Sequence, residues 1–276
     1  MAKDAYINSS GLKIHLLILE DQKDSPVIIF VHASGFYAQH YIELLTLLNQ
    51  RGFNVIGVDL EGHGKSEGKR GDFTFKEVVG NIYDTTTYAI ENYNGRIGII
   101  GTSQGGMASF YALSADKRLK SGCCHCAAIL SERQSDCILP IRGRILKPFV
   151  KLFGKLHFLK LNLWTYIDRY TFYLKPERLR ALKKDPYFVR SYTMRSLHSL
   201  ATAGPPKKIE AIKTPIMFIH PDNDGIFPME YMRSLFDKLT CYKRFEVIPG
   251  MKHMFLEEHP EAAIDTIDKW FKETLK

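Results

Sequence analysis

The sequence predicts an α/β protein, with a mostly parallel central sheet, helices on both faces and an inserted helical cap. Three observations predict it. Apolar runs of strand length alternate with segments of helical spacing. The alternation breaks near Ser131 and resumes at Thr214. A glycine-flanked serine also sits where a strand run passes directly into a helix run. Strands joined through helices must run parallel, and the helices then cover both faces of the sheet.

The elements follow in order. Val27–Val31 is an apolar strand run. Tyr41, Leu44, Leu45 and Leu48 then keep helical spacing, and Gly52 stands just past them as a stop. Asn54–Asp59 reads as the next strand. Thr74-Phe75-Lys76-Glu77 is a capping box, and Phe75, Val78, Val79 and Ile82 behind it make one helix face. Ile97–Gly101 is a strand, Gln104–Ser114 a helix and Ser121–Leu130 a strand. After the break come a strand at Pro215–His220, a helix face at Tyr231, Met232, Leu235, Phe236 and Leu239, and a strand at Lys243–Ile248. Pro260 opens a last helix, with Ile264, Ile267, Trp270 and Phe271 inward. Residues 1–130 and 213–276 are thus expected to build one core, with 131–212 as a helical insertion. Within that insertion Pro176 starts one helix. Asp185-Pro186 is expected to cap and start another that reaches about Ala203.

The chain has 276 residues, 45% apolar and 25% charged, enough for a large buried core. No apolar run approaches the roughly 18 residues of a membrane span, and the opening MAKDAYINSS lacks the apolar stretch of a signal peptide. Five cysteines without a pairing pattern suit a reducing compartment. The expected location is cytoplasmic. Cys123-Cys124-His125-Cys126 invites a metal reading, but adjacent strand residues point to opposite faces. The expectation is a buried strand and no metal.

Gly101-Thr102-Ser103-Gln104-Gly105 carries the chemistry. In this G-x-S-x-G turn a strand precedes and a helix follows, so the serine hydroxyl projects above the sheet edge. A hydroxyl needs a base, and the base needs a carboxylate to hold its tautomer. Asp224 follows the strand ending at His220, and His253 follows the strand ending at Ile248. Loops at the carboxyl ends of such strands converge on one crevice. Ser103, Asp224 and His253 are therefore the expected catalytic residues, with Asp222 and His259 as competitors. The expected oxyanion hole is the backbone N–H of Gln104 and of Ser34, with Ala33 the adjacent alternative. His32 and His220 end strands and are expected to bond backbone, and His125 lies within a strand. His63 sits in a glycine-rich loop, while His15, His40, His157 and His198 have no motif around them.

These residues resemble the α/β-hydrolase superfamily. His32-Ala33-Ser34-Gly35, Asp59–Gly68, Gly101–Gly106, Asp224–Pro228 and Gly250–His253 carry the likeness. The Gly62-His63-Gly64-Lys65-Ser66-Glu67-Gly68 run is similar to the monoacylglycerol lipase, lysophospholipase and serine aminopeptidase-like branch. Ala33 departs from the glycine usual there. The resemblance implies the α/β-hydrolase fold, ester hydrolysis on a Ser-His-Asp triad, and neither a metal nor an organic cofactor. A serine nucleophile sets the chain apart from dehalogenases and dienelactone hydrolases.

The insertion carries the charge. Residues 131–210 hold 17 Lys/Arg and 6 Asp/Glu, a balance of +11 against −3 elsewhere. Between Cys137 and Ile167 stand Arg142, Arg144, Lys147, Lys151, Lys155 and Lys160 with no acidic residue, interleaved with Phe149, Phe153 and Phe158. Two readings stay open: a solvated cap face, or adhesion to an anionic membrane surface. Nucleic-acid binding is not expected, because no nucleic-acid module is matched. An apolar cap over a serine favours an acyl chain, so the expected substrate is a carboxylic ester or lipid, monoacylglycerol- or lysophospholipid-like. Acyl transfer on the same triad and a non-catalytic binding role are the alternatives.

Overall fold

The computed structural model describes residues 2–138, 147–152, 154, 156, 159–162 and 174–276. An eight-stranded sheet is built from β1 (Lys3–Ser9), β2 (Leu12–Leu19), β3 (Val27–Val31), β4 (Asn54–Val58), β5 (Ile97–Thr102), β6 (Leu119–His125), β9 (Ile216–Pro221) and β10 (Lys243–Ile248). Its order is β1-β2-β4-β3-β5-β6-β9-β10. All pairs from β4 to β10 are parallel, whereas β1 and β2 are antiparallel to each other and β2 is antiparallel to β4.

Side chains alternate across the sheet and fill two cores. Ile29, Ile99, Cys124 and Phe218 face one core, where Val78 and Ile82 of α2 (Phe75–Asn92) and Phe110 of α3 (Gln104–Ala115) pack. Ile28, Phe30, Ile100 and Cys123 face the other, with Leu44 and Leu48 of α1 (Ile42–Gln50) and Trp270 of α9 (Ile264–Thr274). Cys123 and Cys124 thus point apart, as strand geometry demands. All five cysteines are free. The capping box at Thr74 forms in both directions, a device that contributes on the order of 1 kcal/mol.

The sheet order reverses between β3 and β5. Successive strands leave β3 in opposite directions there, which opens a crevice at the carboxyl ends. The register sets Val31 beside Gly101, Gly101 beside Cys124 and Cys124 beside Phe218. The loops after β3, β5, β6 and β9 therefore leave the sheet at one level.

Residues 131–212 contribute no strand to this sheet among the described residues. They hold α4 (147–152), β7 (Lys160–Asn162), α5 (Pro176–Lys184), β8 (Ser191–Thr193) and α6 (Met194–Thr202), and β7 and β8 pair antiparallel as a separate ribbon. Several features differ from the sequence expectation, among them the β7–β8 ribbon in an insertion expected to be helical and a last helix that begins at Ile264 after a 3-10 turn at Pro260–Ala262. The β1–β2 hairpin was not expected. β6 ends at His125, because Cys126 turns to φ 69°. Asp185 starts no helix: it closes α5 as its C-cap, its carboxylate accepts from Tyr37 Oη, from His40 Nε2 and from Tyr187 N–H, and α6 begins at Met194 under a Thr193 cap. Of the basic cap residues, Arg142, Arg144 and Lys155 lie outside the described residues, as do Phe153 and Phe158. No helix among the described residues is long and apolar enough to cross a membrane. α7 (Met229–Asp237) and α8 (Phe255–Glu258) flank the loops that carry the site.

Candidate active site

Ser103 stands between β5 and α3 with φ 54° and ψ −120°. Few L-residues adopt this backbone, and such strain is held only where the surroundings enforce it. They do so here. The Ser103 N–H donates to the His125 carbonyl at 3.0 Å. A Cβ on Gly105 would meet the Val31 carbonyl at 2.2 Å, and one on Gly106 the His125 carbonyl at 1.8 Å. Only glycine lets α3 start this close to the neighbouring strands.

The two partners come from loops distant in sequence. His253 Nε2 lies 3.1 Å from Ser103 Oγ, and its Nδ1 lies 2.9 Å from Asp224 Oδ2. Asp224 Oδ1 accepts the N–H groups of Ile226 and Phe227 at 2.8 and 3.0 Å, which fixes the carboxylate from behind. The Phe227 ring lies parallel to the imidazole of His253. Burial acts to raise the Asp224 carboxyl, but the imidazoles of His253 and His125 outweigh it and hold it well below the usual carboxylate range. Both competitors lie elsewhere. Asp222 is exposed and bonds Asn223, and His259 pairs with Glu261 at the surface.

The loop after β3 borders the serine. The Gly35 N–H is taken by Tyr192 Oη at 2.9 Å, and the Phe36 N–H by the Ala33 carbonyl at 3.1 Å. Ser34 remains as the backbone donor of this loop, because the Ala33 N–H is directed toward the buried Tyr41 hydroxyl. Gln104 is the first residue of α3, where a helix offers its N–H no internal partner. Its side-chain Oε1 accepts from Ser34 Oγ at 2.8 Å and from Tyr192 Oη at 2.9 Å, so β8 of the insertion is bonded to both sides of the expected oxyanion hole. His63 Nε2 lies 3.0 Å from the same hydroxyl. Sequence reasoning missed Tyr192, which sits in no motif. It left His63 as a loop residue.

A second group was also missed. His125, Cys126 and His220 stand around Asp224 Oδ2, next to the turn that carries Ser103. Cys126 Sγ, His125 Nε2 and His220 Nδ1 lie 3.5, 3.7 and 4.0 Å from Asp224 Oδ2. Burial lowers His125 to about 4 and lowers His220, and it pushes the Cys126 thiol up. The usable signal was that His125 closes β6 and His220 stands one residue before the end of β9, two strands that pair in parallel.

Fold and constellation together define an α/β hydrolase. The chain belongs to the family described as serine aminopeptidase, S33, whose model matches residues 22–260. It is 23% identical over 256 residues to Protein ABHD12B of Homo sapiens, covering 88% of this chain and 60% of that protein. It is 27% identical over 130 residues to the putative esterase YitV of Bacillus subtilis, covering 41% of this chain and 49% of that one. The chain thus spans less than two thirds of both relatives. Identity to the monoacylglycerol lipase of Mycolicibacterium smegmatis is 23% over 264 residues, 88% of this chain and 87% of that enzyme. Among solved structures, the monoacylglycerol lipase of Paleococcus ferrophilus superposes with a TM-score of 0.77 at 22% identity, covering 95% of this chain and 99% of that one. The α/β hydrolase GrgF of Penicillium reaches 0.81 at 17% identity, with 100% and 99% covered.

Proposed function

We propose that the protein is a serine hydrolase of carboxylic esters with an apolar acyl group, monoacylglycerol- or lysophospholipid-like, working through an acyl-enzyme. The observation that carries this reading is the continuous line from Ser103 Oγ through His253 to Asp224 Oδ2, with bonds of 3.1 and 2.9 Å. In this reading Ser103 Oγ attacks the ester carbonyl carbon as its proton passes to His253 Nε2. Asp224 holds the Nδ1–H tautomer and stabilises the imidazolium. The N–H groups of Ser34 and Gln104 receive the developing oxyanion, helped by the positive end of α3. Collapse expels the alcohol, which takes the proton from His253. Water, activated by the same imidazole, then releases the acid and frees Ser103.

The acyl preference is supported by the aromatic ring of Phe188, which the insertion sets against Gly35 beside the expected oxyanion donors. The names of the lipase relatives support it as well. A panel of glycerol and p-nitrophenyl esters graded by acyl length tests it. Turnover rising from acetyl to longer chains is the expected result, and a preference for acetyl or for aminoacyl substrates contradicts it.

One observation extends the reading to a lipid surface. In α4, Leu152 is 75% exposed and Phe149 49% exposed, beside the exposed Lys151. Apolar and basic groups displayed together suit peripheral contact with an anionic membrane. Lys147 contributes less, because its ammonium is engaged by Asp136.

A further inference from the structure

His125, Cys126, His220 and Asp224 are fully buried side chains whose ligand atoms all lie within 4.8 Å of one another. Two of them are oriented without satisfaction. His220 Nε2 lies 3.0 Å from the Phe227 carbonyl, an acceptor only, so Nε2 carries the proton and Nδ1 presents its lone pair to Asp224 Oδ2. A lone pair facing a carboxylate oxygen in the protein interior is repulsive unless a positive charge stands between them. His125 Nδ1 is bonded to Thr102 Oγ1 at 2.8 Å, and its Nε2 also turns to Asp224 Oδ2. Neither His125 Nε2 nor His220 Nδ1 has a hydrogen-bond partner, although both are buried.

We propose that these four side chains form a site for a soft divalent cation of the zinc class, and that its occupancy switches the serine centre off. The ligand set is two imidazoles, a thiolate and a carboxylate, which suits zinc and not magnesium or calcium. Bonds of about 2.0 Å to nitrogen or oxygen and about 2.3 Å to sulfur put tetrahedral ligands roughly 3.3–3.5 Å apart. The separations of 3.5, 3.7 and 4.0 Å from Asp224 Oδ2 need a small contraction, and the other ligand pairs, which reach up to 4.8 Å, a larger one. The outer shell is in place too. Each imidazole is held through its other nitrogen, by Phe227 O and by Thr102 Oγ1, as metal-bound histidines usually are. The charge closes: one divalent ion, one thiolate and one carboxylate sum to zero, which a dry interior tolerates. Binding replaces the S–H bond of Cys126 with a metal–sulfur bond, and the proton leaves to solvent.

The switch follows from the two oxygens of Asp224. Oδ1 is occupied by the N–H groups of Ile226 and Phe227, so Oδ2 alone serves both His253 and the ion. Cys126 Sγ lies 3.7 Å from His253 Nδ1, so the site adjoins that imidazole. A bound ion draws Oδ2 away and leaves His253 without its orienting carboxylate. The binding half of the proposal stands on the cluster alone. The inhibitory half rests on Asp224 orienting His253, as proposed above.

The test begins with binding. The full chain, freed of metal by a chelator, is titrated with ZnCl2 against a chromophoric competitor, and Co2+ is used as a spectroscopic probe. One zinc per chain is expected, with tetrahedral cobalt bands and a thiolate-to-cobalt charge-transfer band. Cys126→Ala and His220→Gln should each weaken zinc by at least about 100-fold, the upper end of what loss of an outer-shell partner costs, while Cys137→Ser at the surface should leave it unchanged. Fluorophosphonate labelling of Ser103 should slow with zinc and recover on chelation. Absence of a thiolate–cobalt band in the wild-type chain overturns the site, whether or not the variants fold. Zinc binding that survives both Cys126→Ala and His220→Gln overturns it as well. Stoichiometric binding with no change in labelling overturns the switch alone, and a Ser103 that never labels, with binding intact, counts against the hydrolase reading instead.

Discussion

The hydroxyl of Tyr192 accepts the N–H of Gly35 at 2.9 Å, tying the inserted segment to the loop that borders Ser103. The same hydroxyl donates to Gln104 Oε1. A residue of β8 thereby spans the two backbone segments whose N–H groups are expected to meet the oxyanion. Tyr192→Phe removes these bonds and leaves the ring. Loss of a buried hydrogen bond costs about 1–3 kcal/mol. The expected outcome is a kcat lower by on the order of tenfold with KM little changed, because the loss falls on the transition state, and weaker binding of a boronic acid that mimics it. A higher KM with unchanged kcat would assign Tyr192 to substrate binding instead.

Asp224 and Asp222 separate cleanly. Asp224→Asn keeps the shape but favours the wrong His253 tautomer, and turnover should fall on the order of 10⁴-fold. Asp222→Asn changes an exposed side chain and should leave turnover within about twofold. Steady-state assays on one soluble ester decide between the two, and a reversed order would move the carboxylate role to Asp222.

Both carboxylates were legible as candidates because both lie in the loop just after the strand ending at Pro221, and loops at such strand ends converge on one crevice. The elements read best from sequence were those with strong periodicity or a local device. Lys243–Ile248 matches its expected span, and the Thr74 capping box forms as expected. The β1–β2 hairpin escaped because β1 is largely exposed and polar, so alternation gave little contrast. Asp185-Pro186 looks like a helix start by local rules, but Tyr37 and His40, some 145 residues away, take the carboxylate. The Asp224 surroundings were hidden for a similar reason. Pairwise spacing along the chain says nothing about four residues that only strand register brings together.

Acid should destabilise the fold through histidines held neutral. Burial lowers His40 to about 4 and His63 to about 3, both from an ordinary 6.5. Between pH 6.5 and 4 the unfolded chain therefore binds protons that the folded chain refuses, so stability rises with pH across that window and is lost as pH falls. The unfolding midpoint should drop progressively below pH 6.5. The double variant His40→Gln with His63→Gln should show a shallower drop, and an equally steep one would place the acid sensitivity elsewhere.

Adhesion of the insertion to lipid is tested by sedimentation with phosphatidylserine vesicles. Binding should weaken as salt rises, since each basic residue near such a surface contributes on the order of 1 kcal/mol and salt screens it. Replacing Arg142, Arg144, Lys147, Lys151 and Lys155 with Gln should lower turnover of vesicle-borne ester and spare a soluble short-chain ester. Equal loss on both would indicate a damaged insertion, and no sedimentation at low salt would leave a solvated face.

The central claim is that Ser103 is the nucleophile of an ester hydrolase. Its side chain closes the line to His253 and Asp224, and its truncation removes only the hydroxyl that bonds His253 and leaves the Cβ in place. The most direct measurement is turnover of a medium-chain p-nitrophenyl ester by Ser103→Ala beside the wild-type chain, with the unfolding midpoint recorded for both. The expected result is wild-type hydrolysis, loss of activity on the order of 10⁶-fold in the variant, and an unchanged midpoint. Turnover near the wild-type rate in a folded Ser103→Ala protein would contradict the claim.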